Sequence, residues 1–201
     1  MSADKKDTLS SVAVRVSLVL FKTAGSTDEA LFVWDETQSM AVWRTVRGML
    51  RARESLAVAA DRCARADIPG KWLLGEHDLV DAKSLRVLSA GACVPGDDDD
   101  DDAKEESATH GRLDLVLVGH LSAAAATALP TVEPQPRPRG AACTWARVRD
   151  LHLTRDMGDL HQARTGIERH YFDPSPLGMT DADSLHNVML AVEDGRSALA
   201  K

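Results

Sequence analysis

The chain has 201 residues and a formal net charge of −7. Leu, Ile, Val and Phe make up about 22% of it, just above the roughly 20% below which a charged chain stays disordered, so a modest, alanine-supplemented core is available. Six of the negative charges are Asp97–Asp102; without them −1 remains, which excludes a generally acidic protein and a strongly basic nucleic-acid binder.

Residues 1–11 read as a flexible N-terminus. Val12–Lys22 (VAVRVSLVLFK) alternates Val and Leu with smaller or polar residues, the signature of a strand. Gly25 and Ser26 mark a turn, and Ala30–Asp35 is a second short strand, so the two form a candidate hairpin. Ala41–Val46 is a third candidate strand. Ser55–Asp67 (SLAVAADRCARAD) is rich in Ala and free of Gly and Pro. Leu56, Ala59, Ala60 and Cys63 recur at helical spacing, Ser55 caps the helix, and Pro69-Gly70 ends it.

Leu85–Val94 and Leu113–Leu121 are further strands. Between them, residues 95–111 form an acidic insert whose adjacent aspartates repel one another and bury nothing, so disorder is expected. Pro130–Gly140 is a proline-rich extended loop, and Ala142–Val148 is a strand around Trp145. Asp156–His170 has a helical pattern, and Asp173–Pro176 reads as a turn. Thr180 or Asp181 caps a last helix reaching about Ala200, on which Leu185, Val188, Met189, Val192 and Leu199 form one apolar stripe. That stripe is expected to pack on the domain; docking to a protein partner is the alternative. The order of elements is an α+β pattern.

No run of about 18 apolar residues is present, so no membrane helix is expected. The first ten residues carry Asp4, Lys5, Lys6 and Asp7 and lack the pattern of a targeting peptide. Cys63, Cys93 and Cys143 are odd in number and lie far apart, which argues against a disulfide framework or a zinc knuckle. A cytoplasmic location with reduced thiols follows as the expectation; the oligomeric state stays open. The histidines form no zinc motif, and phosphate-binding or dinucleotide glycine loops are missing.

Arg47–Asp67 (RGMLRARESLAVAADRCARAD) resembles the box of the Nudix family, G-x5-E-x7-R-E-U-x-E-E-x-G-U, with U an aliphatic residue. Gly48, Glu54 and Arg62 stand at its intervals. Glu54-Ser55, Ala59-Ala60 and Arg62 also match the variant E-S-x-x-x-A-A-x-R. Trp145-Ala146-Arg147-Val148-Arg149-Asp150-Leu151 looks like the family's late strand, W-x4-[DE]-L. The resemblance spans roughly residues 12–169. It implies an α/β/α sandwich with a mixed sheet over 12–172, followed by a helical extension over 173–201.

The same resemblance implies a carboxylate cluster for Mg2+ or Mn2+ at three positions on one helical face, and here the chain departs from the family. Those positions hold Cys63, Ala66 and Asp67. A neutral thiol is a poor Mg2+ ligand, a methyl is none, and only Asp67 keeps a carboxylate. The box is therefore degenerate. No cofactor is expected; Mg2+ or Mn2+ belongs to an active form. Glu54 and Arg62 read as orienting the loop, with a catalytic part for Glu54 as the alternative. Arg44, Arg47, Arg51 and Arg53 lie before a helix N-terminus and are candidates for phosphate, and Trp43 or Trp34 for stacking on a base.

The leading expectation is a non-catalytic domain that binds a nucleotide or an RNA 5′ end, or acts as a scaffold. The alternatives are a pyrophosphohydrolase using Asp67 and Glu54 with Mg2+ or Mn2+, helped by Glu133 or Asp150, and a purely structural partner-binding protein.

Overall fold

A computed structural model describes residues 12–36, 41–70, 78–93, 112–129, 138, 140–151, 170–173 and 177–199. The expected N-terminal tail, the acidic insert, nearly all of the proline-rich loop, the helix over 156–169 and Glu133 lie outside the described residues.

Nine strands among the described residues make one mixed sheet. Strand β1 (Ala13–Phe21) is its centre. It runs parallel to β6 (Arg112–His120) over their whole length, from Ala13 beside Arg112 to Phe21 beside His120. Its other edge is shared. The first half pairs antiparallel with β4 (Val46–Met49), and Phe21 pairs with Ala30 of β2 (Glu29–Asp35). The expected hairpin therefore exists only at its root. Strand β2 swings away to pair with β7 (Cys143–Arg147) and with β3 (Val42–Arg44). Strand β5 (Arg86–Cys93) lies outside β6. Strands β8 (His170–Asp173) and β9 (Gly178–Asp181) form a hairpin that joins the sheet through a parallel pairing of Trp43 with Thr180.

The expected strand over 41–46 is two strands. Thr45 breaks it because its N–H and hydroxyl both turn to Ser184 Oγ, at 2.9 and 3.1 Å. His170, expected at the end of a helix, begins β8. Thr180 and Asp181 are strand residues, although Asp181 still accepts the N–H of Ser184 at 2.8 Å, as a helix cap does.

Helix α1 (Leu56–Asp67) begins at Ser55, whose side chain accepts from the Val58 N–H. Helix α2 (Ala123–Ala128) was not expected from the sequence; Ser122 caps this short alanine run. Helix α3 (Ala182–Leu199) is the C-terminal helix. Among the described residues no helix is long and apolar enough to cross a membrane.

The sheet is covered on both faces, so its central strands read as apolar runs. Alternate residues of β1 enter two cores. Val16, Leu18 and Leu20 pack with Ala60, Cys63 and Ala64 of α1. Val19 and Phe21 pack with Leu185, Val188, Ala191 and Val192 of α3. Leu185, Val188 and Val192 of the apolar stripe of α3 are thus used within this chain.

Helix α1 also presses onto β4. A Cβ built on Gly48 would stand 2.3 Å from Cys63 Sγ, far inside van der Waals range. Glycine is required here by proximity. Gly48→Ala is expected to destabilise the fold by about 1–3 kcal/mol in urea unfolding. Adding Cys63→Ala should recover most of that loss, because it removes the clashing sulfur. Equal loss in both variants would show that crowding is not the cause.

Candidate functional site

The loop from Leu50 to Ser55 leads from β4 into α1, and one ion pair holds it. Arg62 Nε donates to Glu54 Oε1 and Arg62 Nη2 to Glu54 Oε2, both at 2.7 Å. Arg62 Nη2 also donates to the Met49 carbonyl at 2.7 Å, and Glu54 accepts the Arg51 N–H at 3.0 Å. The eight-residue separation of Glu54 and Arg62 therefore closes the loop onto the second turn of α1. These bonds from Arg62 and the Arg51 amide lower the Glu54 carboxyl to about 2, and the same pairing raises Arg62. Within the loop Arg53 adopts φ 63°, a left-handed conformation that costs a non-glycine residue roughly 1–2 kcal/mol. Arg51 and Arg53 are both exposed.

Asp67, at the other end of α1, is committed differently. Arg44 Nη1 and Nη2 donate to its two oxygens at 2.6 and 3.2 Å, and the Arg47 N–H donates to Oδ2 at 2.9 Å. Arg44 Nε donates in addition to Asp35 Oδ2 at 2.5 Å, and Nη1 to the Thr45 carbonyl at 3.0 Å. Arg44, Asp35 and Asp67 have side chains only 13%, 8% and 15% exposed. Burial acts to lower the Arg44 pKa, but the bonds and charges of Asp67 and Asp35 outweigh it, and the net shift is upward.

The next arginine repeats the arrangement. Arg47 Nη2 pairs with Asp181 and donates to Ser184 Oγ at 3.0 Å. Asp181 also accepts the Ser184 hydroxyl at 2.7 Å. Asp35 and Asp181 are functional partners that the sequence pattern did not single out. No sequence signal could have found them, because they lie on other strands, away along the chain from the arginines they meet.

The remaining positions of the box supply no metal ligand. Cys63 is buried, and burial pushes its thiol up, so it stays neutral. Ala66 has no donor atom. Asp67 would have to surrender three hydrogen bonds to reach a cation. Among the described residues no group of three or more His, Cys, Asp or Glu is arranged to hold a metal ion. Among the described residues, Cys63, Ala66 and Asp67 offer Mg2+ or Mn2+ no carboxylate cluster. Asp150 is half-exposed in a 3-10 turn over 148–150, 3.6 Å from Arg149.

Two expectations are corrected. Trp43 is 1% exposed and its ring meets Trp34 at 5.3 Å, so neither face is open to a base. Trp34 is buried as well, and its Nε1 donates to Glu36. Arg44 and Arg47 are spent on internal carboxylates, which leaves Arg51 and Arg53 as the exposed members of the basic group. A cavity of about 820 Å3 lies between Asp28, Arg147 and Glu193, and no box residue lines it.

No protein-family model matches the chain, and no curated protein does. Among solved structures it is similar to an ADP compounds hydrolase at 13% identity, covering 92% of this chain and 74% of that one, with a TM-score of 0.46. It is similar to a Nudix hydrolase from Nitrosomonas europaea at 14% identity, covering 93% and 90%, with a TM-score of 0.42. It is also similar to the Nudix domain of Shewanella oneidensis NrtR, solved with ADP ribose, at 14% identity, covering 96% and 94%, with a TM-score of 0.41.

The ion pairs can be tested by unfolding. Arg44→Met strands the carboxylates of Asp35 and Asp67 and should cost about 3–5 kcal/mol in equilibrium unfolding, whereas Asp67→Asn leaves Arg44 its bond to Asp35 and should cost less. The double variant should lose less than the sum, and strict additivity would show that the pair does not interact. For Glu54 the folded carboxyl lies near 2, below its ordinary 4.5. Its stabilisation is therefore complete above pH 4.5 and is lost as pH falls toward 2. The stability gap between the wild type and Glu54→Gln should close across that window. A gap that stays constant would contradict the role given to Arg62.

Proposed function

We propose that this chain is a Nudix-like domain with a degenerate box, and that it binds a phosphate-bearing ligand without hydrolysing it. The box anchors Gly48, Glu54 and Arg62 support the family assignment, because each does a definite job in closing the loop onto α1. The observation that carries the loss of hydrolysis is the engagement of both Asp67 oxygens by Arg44 and the Arg47 amide. A guanidinium stands beside the one surviving carboxylate, so the charge that family members offer to a metal ion is neutralised from within.

A site without free carboxylates does not repel phosphate and needs no metal to accept it. Arg51 and Arg53 project from the loop that opens α1, where the first N–H groups of a helix also favour an anion. The ligand class is a nucleotide or the 5′ end of an RNA. Binding of this kind suits a module inside a larger assembly.

The test has two arms. Purified protein with Mg2+ or Mn2+ should not turn over ADP-ribose, dinucleoside polyphosphates or 5′-triphosphate RNA. Turnover that disappears in Asp67→Ala would overturn the non-hydrolytic reading. In the second arm, a short 5′-phosphorylated RNA is titrated at several salt concentrations. Arg51→Ala with Arg53→Ala should weaken binding and flatten the log–log salt slope by roughly 0.7 for each phosphate those arginines neutralise. An unchanged slope would mean that they do not meet phosphate.

A further inference from the structure

Strand β5 stands at one end of the sheet order and hydrogen-bonds β6 along one side. Its other side has no strand against it among the described residues. An open edge presents a row of backbone N–H and C=O groups that another extended chain can satisfy, and proteins guard such edges with Lys, Pro, an inward-pointing charge, a bulge or brevity. Strand β8, at the other end of the order, has four residues and ends in Asp173. Strand β5 has eight residues (RVLSAGAC), with no Lys and no Pro. Its single charge, Arg86, stands at its first residue and pairs with Asp194 of α3 at 2.8 Å. A register shift between Val87 and Ser89 breaks the ladder with β6 near that end. These guards cover Arg86 to Leu88. From Ser89 to Cys93 the ladder is regular, running opposite Val116 to Arg112, and nothing guards it.

The regular stretch is its own complement. Ser89-Ala90-Gly91-Ala92-Cys93 has the same sizes read in either direction, small residues about a central glycine. Two copies laid antiparallel about Gly91 set Ser89 against Cys93, Ala90 against Ala92 and Gly91 against Gly91. Like charges directly opposite would be destabilising, and no pair here carries a charge. Ala90 and Gly91 are exposed, and a Cβ built on Gly91 meets nothing within 4 Å. The antiparallel arrangement also sends the two chains out of the pair at opposite ends. The acidic runs Asp97–Asp102, which begin four residues beyond Cys93, are then kept apart, whereas a parallel pair would bring them side by side. A twofold axis of this kind closes the assembly at two copies.

We infer that β5 is an interaction surface for a second copy of this chain, and that two copies join their sheets through antiparallel pairing of Ser89–Cys93 about Gly91. No box residue lies on β5, so the dimer and the phosphate reading stand or fall separately.

Sedimentation velocity on the whole chain reads the pairing directly. Five residue pairs bury less than the roughly 1,200 Å2 of lasting complexes, so the dimer should form on the order of 100 µM and dissociate on dilution. Gly91→Lys sets two ammonium groups against each other at the axis and should leave a monomer at every concentration, with the fold intact because the position is open. The pairing also predicts a cross-link. Directly opposite strand residues have Cα atoms about 4.5–5.5 Å apart, inside the range of about 4.4–6.8 Å that a disulfide spans. Gly91→Cys with Cys93→Ser should therefore oxidise to a covalent dimer, while Val58→Cys with Cys93→Ser, exposed on α1, should not. Cys63 and Cys143 are buried and do not interfere. A wild type that stays monomeric up to about 1 mM overturns the inference and leaves the edge to an extended segment of another protein. A dimer that persists in Gly91→Lys, or equal cross-linking of the two cysteine variants, overturns it as well.

Discussion

The guanidinium of Arg44 is the joint on which this molecule turns. It lies on β3, bonds Asp35 at the end of β2, and grips Asp67 at the end of α1 with two further N–H groups. Three residues on, Arg47 of β4 donates its amide to Asp67 and its side chain to Asp181 and Ser184 of the β9–α3 junction. Helices from both faces of the sheet are thus tied to the same short stretch of chain. Buried ions stabilise a fold only when matched, and removing one partner is far worse than never having had the pair. The alternation of arginines and aspartates along this line meets that condition.

This joint also decides the chemistry of the box. A helix end carrying one aspartate, one buried thiol and one methyl has little to offer a divalent cation, and the aspartate is already bonded to an arginine. The anchors that remain act on the backbone. Gly48 allows α1 to approach β4, and Glu54 with Arg62 closes the intervening loop. That loop holds Arg53 in a left-handed conformation with its side chain outward, and strain of this kind gathers where a loop meets a ligand. The loop geometry and the internal ion pairs are built from the same few residues.

The two ends of β1 serve different purposes. Near Val16 it meets β4 and the glycine under α1. At Phe21 it ends beside β6, under α3, at a cavity that Thr27, Arg86, Val118 and His120 help to line. The faces are separated by the sheet itself, since successive side chains of β1 enter different cores.

The strongest local patterns were legible in the sequence. The strands around Val16, Phe32, Leu117 and Trp145 follow from apolar runs, and α1 from its spacing, its Ser55 cap and Pro69. The identities of Cys63, Ala66 and Asp67 along one side of α1 were legible too, because they are the same in any fold. Short elements were not. Helix α2 is a bare alanine run that depends on packing, and the β8–β9 hairpin has no alternation of its own. Side-chain partnership was beyond reach for a physical reason. Arginines clustered at 44–53 read as a basic loop when their counter-charges, Asp35, Asp67 and Asp181, are spread from β2 to β9. Trp43 looked available because an aromatic residue in a short strand carries no mark of which face it will take. By itself the sequence determined most of the strand and helix set, the acidic composition of 97–102 and the residue types carried by α1, all of which rest on local spacing and residue type. Only the tertiary structure decided that Arg44 and Arg47 face inward, that Trp43 is core, and that His120 lines a cavity. Burial and ion pairing are settled by which distant residues meet, and no local pattern records that.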